Sequence, residues 1–333
     1  MLHISPKTCK MNAYERERTK DMENLVLTIN IILPIFLVMV IGYICKRVGL
    51  VSADTISGMN KLVFRLFLPA SLCQSVMKAD PESMTNPSVL AFGFIGTFAI
   101  FLVSMLIIPR IERENSRRGV MIQGIFRSNY AIFGVPLAEA LFPAGDGGVA
   151  AMMVIATVPL FNVLGVISLE VFRGGHPDLK KILRGIVRNP LIWGCLIGFL
   201  LMQMRVTLPQ FAASTLSKLA AIASPLALFT LGGSINLQAF RHNARSLAVS
   251  VSAKLLVAPL AMLSVAYLCG YRGAEFAVLM IVYGAPCAVN SYTMAAQMDG
   301  DAELAAQQVM LSTVLCTATM FAMIFLFKTM GVF

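Results

Sequence analysis

Two short segments of this chain hold the residues best suited to chemistry. The first reads Arg127-Ser128-Asn129-Tyr130-Ala131-Ile132-Phe133-Gly134-Val135-Pro136-Leu137, and the second Tyr283-Gly284-Ala285-Pro286-Cys287-Ala288-Val289-Asn290-Ser291-Tyr292. Each joins a Gly-x-Pro to asparagine and serine inside an otherwise apolar stretch. Proline lacks an N–H and its ring excludes the carbonyl four residues earlier, here that of Ile132 or Val282. The glycine two residues before it lets the backbone open. A helix opened in hydrocarbon exposes N–H and C=O groups that protein, water or a ligand must satisfy. Half-helix N-termini present free N–H groups and partial positive charge, which suits a carboxylate. Proline kinks alone explain either motif singly. Two at equivalent positions, flanked by Asn129, Asn290 and Ser291, read as one polar site near the membrane midplane.

Charge inside the same segments extends this chemistry. Arg127 either pairs with a second substrate carboxylate, which favours a dicarboxylate, or snorkels to the surface near Arg117 and Arg118. Lys254 faces the same choice. Glu139, three residues after Pro136, is a proton-coupling carboxyl if buried and an ordinary hydrated group if it sits near a helix end. Lys61 and Arg65, four apart, are expected at an interface. The binding candidates are therefore Arg127, Asn129, Tyr130, Gly134, Pro136, Gly284, Pro286, Asn290 and Ser291, with Glu139 for coupling.

The elements that must position these residues follow from composition. Of 333 residues, 57% are hydrophobic and 13% charged, where soluble domains carry roughly 25% charged. Leu25–Cys45, Ser83–Ile108, Gly147–Leu169, Leu219–Phe240, Phe276–Met298 and Leu304–Phe327 contain no Asp, Glu, Lys or Arg. Each approaches the ~20 residues that span a bilayer as a helix. Asn189–Met204, Leu255–Tyr271 and the stretches 55–77 and 117–142 bring the expected crossings to ten. Continuous rather than alternating apolarity selects helices over a barrel. The net charge of +10 is not a nucleic-acid signature, because its placement follows the membrane. With the first crossing entering from outside, thirteen basic residues fall in cytoplasmic loops and five opposite, which predicts both termini outside. The tail 1–23 mixes Arg, Lys and Glu, and Met22 would serve equally as a start. The seven cysteines show no C-x-x-C, and His3, His176 and His242 lie outside the apolar runs expected to cross. No metal site, cofactor or catalytic motif is indicated.

An internal repeat orders the crossings. Gly42 and Gly198 are 156 positions apart, as are Pro69 and Pro225. Arg118-Gly119 matches Arg272-Gly273, Gly134-Val135-Pro136 matches Gly284-Ala285-Pro286 at 150, and Asp146 matches Asp299. Two halves of five crossings must lie inverted in the membrane. The expected fold is thus an all-α polytopic membrane protein of ten helices, with repeats over 24–172 and 189–333 and a basic linker at 173–188.

These segments also resemble a known family. Asn129-Tyr-Ala-Ile-Phe-Gly-Val-Pro-Leu137 and Pro286-Cys-Ala-Val-Asn-Ser291 are similar to the auxin efflux carrier family, which includes plant auxin exporters and bacterial malate and malonate permeases. Leu68-Pro69-Ala70, Asn189-Pro190-Leu191 and Gly300-Asp-Ala-Glu-Leu-Ala-Ala306 support the likeness, which covers roughly residues 24–329. The resemblance implies a scaffold from the first two helices of each half and a transport domain from the other three. It also implies that the proline breaks cross to support a substrate carboxylate, with Asn129, Pro136, Pro286 and Asn290 at the site. The long hydrophilic central loop of plant members is absent from this sequence.

The leading expectation is a non-enzymatic secondary transporter of small organic anions, malate or malonate among them, in the cell membrane. The alternatives are a sodium-coupled carrier of the bile-acid-symporter type or an exporter of auxin-like indole acids. A small organic anion and the lipid bilayer are the expected partners, with a second copy of the chain admissible and nucleic acid not.

Overall fold

A computed structural model describes residues 33–77, 87–134, 137–138, 141, 147–173, 179–236 and 240–333. The tail 1–23, Pro136 and Glu139 lie outside the described residues. Apart from loops and one isolated bridge, the described chain is helical. Helix α1 covers 33–47, and α2 runs as Ala53–Leu62, a π turn at Val63–Phe67, and Leu68–Met77. Helix α3 is Pro87–Ile111 and α4 is Asn115–Phe126, followed by a separate π turn at Tyr130–Gly134. Helix α5 is Gly147–Val171, and α6 is Leu179–Arg188, within the stretch expected as a basic linker. The second half contains α7 (Pro190–Gln203), α8 (Gln210–Ser234), α9 (Phe240–Leu268), α10 (Gly273–Gly284), α11 (Asn290–Gln297) and α12 (Ala302–Thr329).

Among the described residues, five helices are long and apolar enough to cross a bilayer: α3, α5 from Met152, α8, α9 and α12. Helices α7 and α10 are apolar but shorter. The outward face of α3 exposes Phe94, Ile95, Phe98, Leu102 and Leu106, a surface that hydrocarbon solvates and water does not.

Local chemistry explains the ends and irregularities. Asn189 caps α7 by accepting the Leu191 N–H at 2.9 Å, and Pro190 occupies the first helical position, where its missing donor costs nothing. Asp301 caps α12 through the Leu304 N–H at 2.9 Å. Two of the family-like stretches are therefore helix starts. The π turns in α2 and α9 each end two residues before a proline, Pro69 and Pro259. The residue preceding each proline bonds five positions back, Leu68 N–H to Val63 and Ala258 N–H to Ala253. A proline disturbs the ordinary four-residue ladder, and the extra residue absorbs the mismatch.

The helices pack in two groups. Helix α2 lies along α7 and α8. Gly42 of α1 meets the backbone of Phe229 in α8, and Gly198 of α7 meets the backbone of Cys73 in α2. A Cβ on either glycine would collide with the facing carbonyl oxygen. Phe229 and Cys73 are 156 positions apart, as the two glycines are. Helices α3, α4, α5, α9, α10 and α12 form the second group, and α11 packs on α12 while touching α2 and α8.

At one end a polar cluster ties the second group together. Arg117, nearly buried, bonds the Asn243 side chain and lies 3.3 Å from Asp301 and 3.9 Å from Glu112. Asn243 donates to Gln307 at 2.8 Å, Ser246 donates to Glu112 at 2.9 Å, and the Asp301 N–H reaches the Ser116 carbonyl at 2.9 Å. Arg173 at the end of α5 pairs with Asp299 at 2.7 Å and Glu170 at 3.0 Å. The loops expected on the cytoplasmic side thus meet at a single end of this group.

Candidate functional site

The site begins where two helices stop. Helix α4 ends at Phe126, and Arg127 continues in extended conformation (φ −82°, ψ 120°). Helix α10 ends at Gly284, and Ala285 is likewise extended (φ −61°, ψ 153°). The extended segments cross, with Ser128 opposite Cys287 in an antiparallel bridge and the Asn129 N–H donating to the Pro286 carbonyl at 2.8 Å. After the crossing, the chain re-enters helical geometry as the π turn Tyr130–Gly134 on one side and as α11 from Asn290 on the other.

The backbone groups freed by the second break find partners. Val282, whose carbonyl Pro286 displaces, accepts from the Ser128 hydroxyl of the other segment. The Gly284 carbonyl accepts from Cys316 Sγ at 3.5 Å, and the Cys287 N–H donates to Ser312 Oγ at 3.1 Å. Helix α12 thereby backs the second break with two side chains. This agrees with the requirement that polar backbone inside an apolar protein be matched.

The first break begins earlier in the chain than its Gly-x-Pro. The helix already opens at Arg127-Ser128-Asn129, several residues before the expected Gly134-Val135-Pro136, of which Val135 and Pro136 lie outside the described residues. Serine and asparagine compete for backbone hydrogen bonds and weaken a helix locally. The partner segment then rewards an extended backbone with a bridge and a side-chain bond. Gly134 ends the π turn, buried against Tyr130 and against Ile281 of α10.

Two side chains place charge here. Arg127 is 2% exposed, donates to Asn162 Oδ1 of α5 at 2.6 Å and to the Met294 sulfur of α11. It does not snorkel to the surface. Lys254, in the π turn of α9, is also 2% exposed and donates to Ser128 Oγ at 2.5 Å. The ion pairs of Arg117 and Arg173 lie elsewhere, with Glu112, Glu114, Glu170, Asp299 and Asp301. Arg127 and Lys254 are thus held by neutral groups. A buried cation without a countercharge is costly and favours an anionic ligand beside it.

The remaining candidates fall around the crossing. Tyr130, fully buried, donates to the Ala150 carbonyl at 3.0 Å. Asn129 has a buried amide nitrogen without a partner, and Asn290 a buried amide oxygen without one. Ser291 accepts at its carbonyl from Gln123 Nε2 at 3.0 Å, and its hydroxyl meets Cys287 Sγ at 3.5 Å. Arg127, Asn129, Pro286, Asn290 and Ser291 are therefore assembled in one place, with Gly284 at the mouth of the second break. Asn162 and Gln123 are not among the sequence candidates, and Lys254 is left there between binding and snorkelling. The available signal was a single amide in each of two apolar runs, which does not reveal the partner.

A polar cavity of about 320 Å³ approaches the site. Lys46, Ser57 and Asn60 line it on one side, and Tyr292, Gln297 and Glu303 on the other. It lies between the two helix groups and reaches Tyr292, two residues from Asn290. No group of three His, Cys, Asp or Glu side chains placed to hold a metal ion occurs among the described residues.

Comparison with known proteins agrees with this picture. The family model described as membrane transport protein matches residues 27–171 and 177–324. An uncharacterised transporter of Methanothermobacter thermautotrophicus is 23% identical over 287 residues, covering 85% of this chain and 93% of that protein. The uncharacterised transporter YfdV of Escherichia coli is 23% identical over 271 residues, 76% of this chain and 82% of its own. A candidate malonate transporter of Rhizobium meliloti is 22% identical over 309 residues, 90% of this chain and 95% of that protein. With that match extending across both helix breaks, the chain belongs to the membrane transport protein family, the auxin efflux carriers that its two motif segments resemble.

Proposed function

We propose that this chain is a secondary transporter of small organic anions, malonate or malate among them, working by alternating access about the crossing of its two broken helices. The proposed plan has ten crossings in two inverted repeats, 24–172 and 189–333, joined by the linker 173–188 in the cell membrane. The paired contacts Gly42–Phe229 and Gly198–Cys73, related by one shift of 156, support that inversion. In this plan α1, α2, α7 and α8 are the scaffold, and the second helix group carries the site.

One observation carries the reading: Arg127 is buried beside the crossing with no carboxylate partner among the described residues, two positions from the unpartnered amide nitrogen of Asn129. An incoming carboxylate supplies the missing charge and can accept from Asn129 Nδ2. A second carboxylate on the same substrate pairs with Arg127. The polar cavity between the helix groups offers the route, with Glu303, two residues from Asp301 of the Arg117 cluster, in its lining. Shearing of the second group against the scaffold would close that route and open the other. Pro136 belongs to the proposed site on the family likeness alone, and Glu139 to proton coupling on its position in the sequence. Family membership points to transport rather than catalysis.

The test is uptake by purified protein in liposomes, using malonate, malate, acetate and an indole acid. Saturable uptake with counter-exchange, strongest for dicarboxylates, is expected. A protein that binds and moves no carboxylate overturns the proposal.

A further inference from the structure

Lys254 has no place in the anion site as drawn from sequence, yet it is among the most deeply buried side chains in the molecule. Its ammonium donates to Ser128 Oγ, and the Ser128 hydroxyl donates onward to Val282 O. That short chain of bonds links three elements: the π turn of α9, the first break, and the end of α10. It ends on the carbonyl that Pro286 displaces. Successive side chains of an extended segment point to opposite faces. Arg127 therefore approaches the crossing from one side, toward α5 and α11, and Lys254 through Ser128 from the other. Cys287 faces Ser128 across the bridge.

We infer that the Lys254 ammonium is a tethered cation of the crossing. It fills the place a dissociable metal cation would need, clamps Ser128 onto Val282, and keeps the crossing positive for an anion on the opposite face. Lys254 is a positioning residue that does not touch substrate. A sodium ion at the same oxygens would meet a buried like charge in a poorly screened interior. Anion binding by this chain therefore needs no sodium. The π turn before Pro259 is what brings residue 254 to this height, because the extra residue rotates the side chains that precede the proline. This inference builds on the anion-transport reading, but its stability arm can fail or succeed separately.

The experiment compares wild type, Lys254→Ala and Lys254→Arg by malonate uptake and by thermal melting in detergent. Each is run in sodium, choline or methylammonium chloride at one ionic strength. Wild-type uptake is expected to be equal in sodium and choline. Lys254→Ala is expected to lose about tenfold or more in choline, and to recover several-fold with methylammonium, which fits the vacated space. Its melting temperature should rise with methylammonium while that of wild type does not. Lys254→Arg should remain within about threefold of wild type, since it keeps the charge and a donor. Sodium-dependent wild-type uptake overturns the inference, and so does full activity of Lys254→Ala in choline. A loss that neither methylammonium nor Lys254→Arg restores makes the lysine a packing residue and also overturns it. If Lys254→Ala does not fold, a Lys254→Arg protein that folds and transports supports the tether, and one that does neither overturns it. If wild type moves no carboxylate, the transport reading fails, and the methylammonium effect on melting decides the tether alone.

Discussion

The two helix breaks meet at one bridge but are built by different means. The second is written into the covalent chain: Pro286 removes a donor and displaces the Val282 carbonyl, and α12 supplies Cys316 and Ser312 to the loosened backbone. The first has no proline where it opens. Arg127, Ser128 and Asn129 leave the helix because the partner segment offers a bridge and a hydrogen bond, and because Asn162 and Met294 hold the guanidinium. One break is a property of its residues, while the other belongs to the pair. The charge divides just as unevenly. Both buried cations attach through the first break, Arg127 as a member and Lys254 through Ser128, whereas the second contributes neutral groups only. The first break is thus suited to reading the ligand and the second to fixing the geometry.

Substitutions that treat the two breaks separately test this division. The largest effect is expected at Arg127. Arg127→Ala removes the only charge in the first break and should lower dicarboxylate uptake by about 100-fold, with a much smaller loss for monocarboxylates. Equal losses for both classes, measured side by side in liposomes, would deny Arg127 its selective role. Next comes the geometric pair. Pro286→Ala should reduce the uptake of every substrate by about tenfold, without a change in preference. Ser128→Ala leaves the Val282 carbonyl and the Lys254 ammonium without their shared partner, and should cost about 1–3 kcal/mol of stability in chemical denaturation. If Pro286→Ala altered preference instead, the second break would read the ligand too. Smaller effects are expected at the amides. Asn129→Ala and Asn290→Ala should each weaken carboxylate binding by about tenfold in calorimetry, and an unchanged affinity for either would move it out of the site.

The smallest expected effect lies away from the crossing, at the Glu112 cluster. Burial works against the Glu112 carboxylate, but bonds from the Glu114 N–H, the Ser246 hydroxyl and the Arg113 N–H, with Arg117 nearby, hold it below the usual carboxylate range. A carboxyl group depressed in the folded state contributes stability that is present above its unfolded value, near 4.3. That contribution is lost as pH falls through the lower folded value. Glu112→Gln should therefore lower the melting temperature at neutral pH, by the equivalent of about 1 kcal/mol or less. The gap to wild type should narrow on acidification below pH ~4. A gap that stayed constant to pH ~3 would mean that the glutamate acts by packing rather than charge.

Much of the architecture was legible in the residues. Long uncharged runs read as membrane helices because hydrocarbon tolerates neither charge nor open backbone, and five of the described helices meet that length and apolarity outright. Asn189-Pro190 and Asp301 start helices through capping chemistry that operates within one turn, a local reason for two stretches that entered the sequence analysis only as family likeness. Pro286 signalled its break for the same local reason. The repeat spacing of Gly42 and Gly198 corresponds to close backbone approaches, since only glycine admits a facing carbonyl there. The first break was less legible. Gly134-Val135-Pro136 carried the stronger local signal, but the opening at Arg127–Asn129 depends on a segment some 160 positions away in sequence.

By itself, then, the sequence determined what is local or compositional: a multi-pass helical membrane protein, its caps, its proline break, and the two segments where polar chemistry concentrates. Only the tertiary structure decided which helix faces meet. That choice placed Ser128 on Cys287 and gave Arg127 the amide of Asn162. It also brought Lys254 to the crossing and left Asn129 and Asn290 each with an unmatched group. The physical reason is that burial and countercharge are properties of surroundings. A lysine in an apolar run is the same residue whether it snorkels to water or is sealed against a serine from the other half.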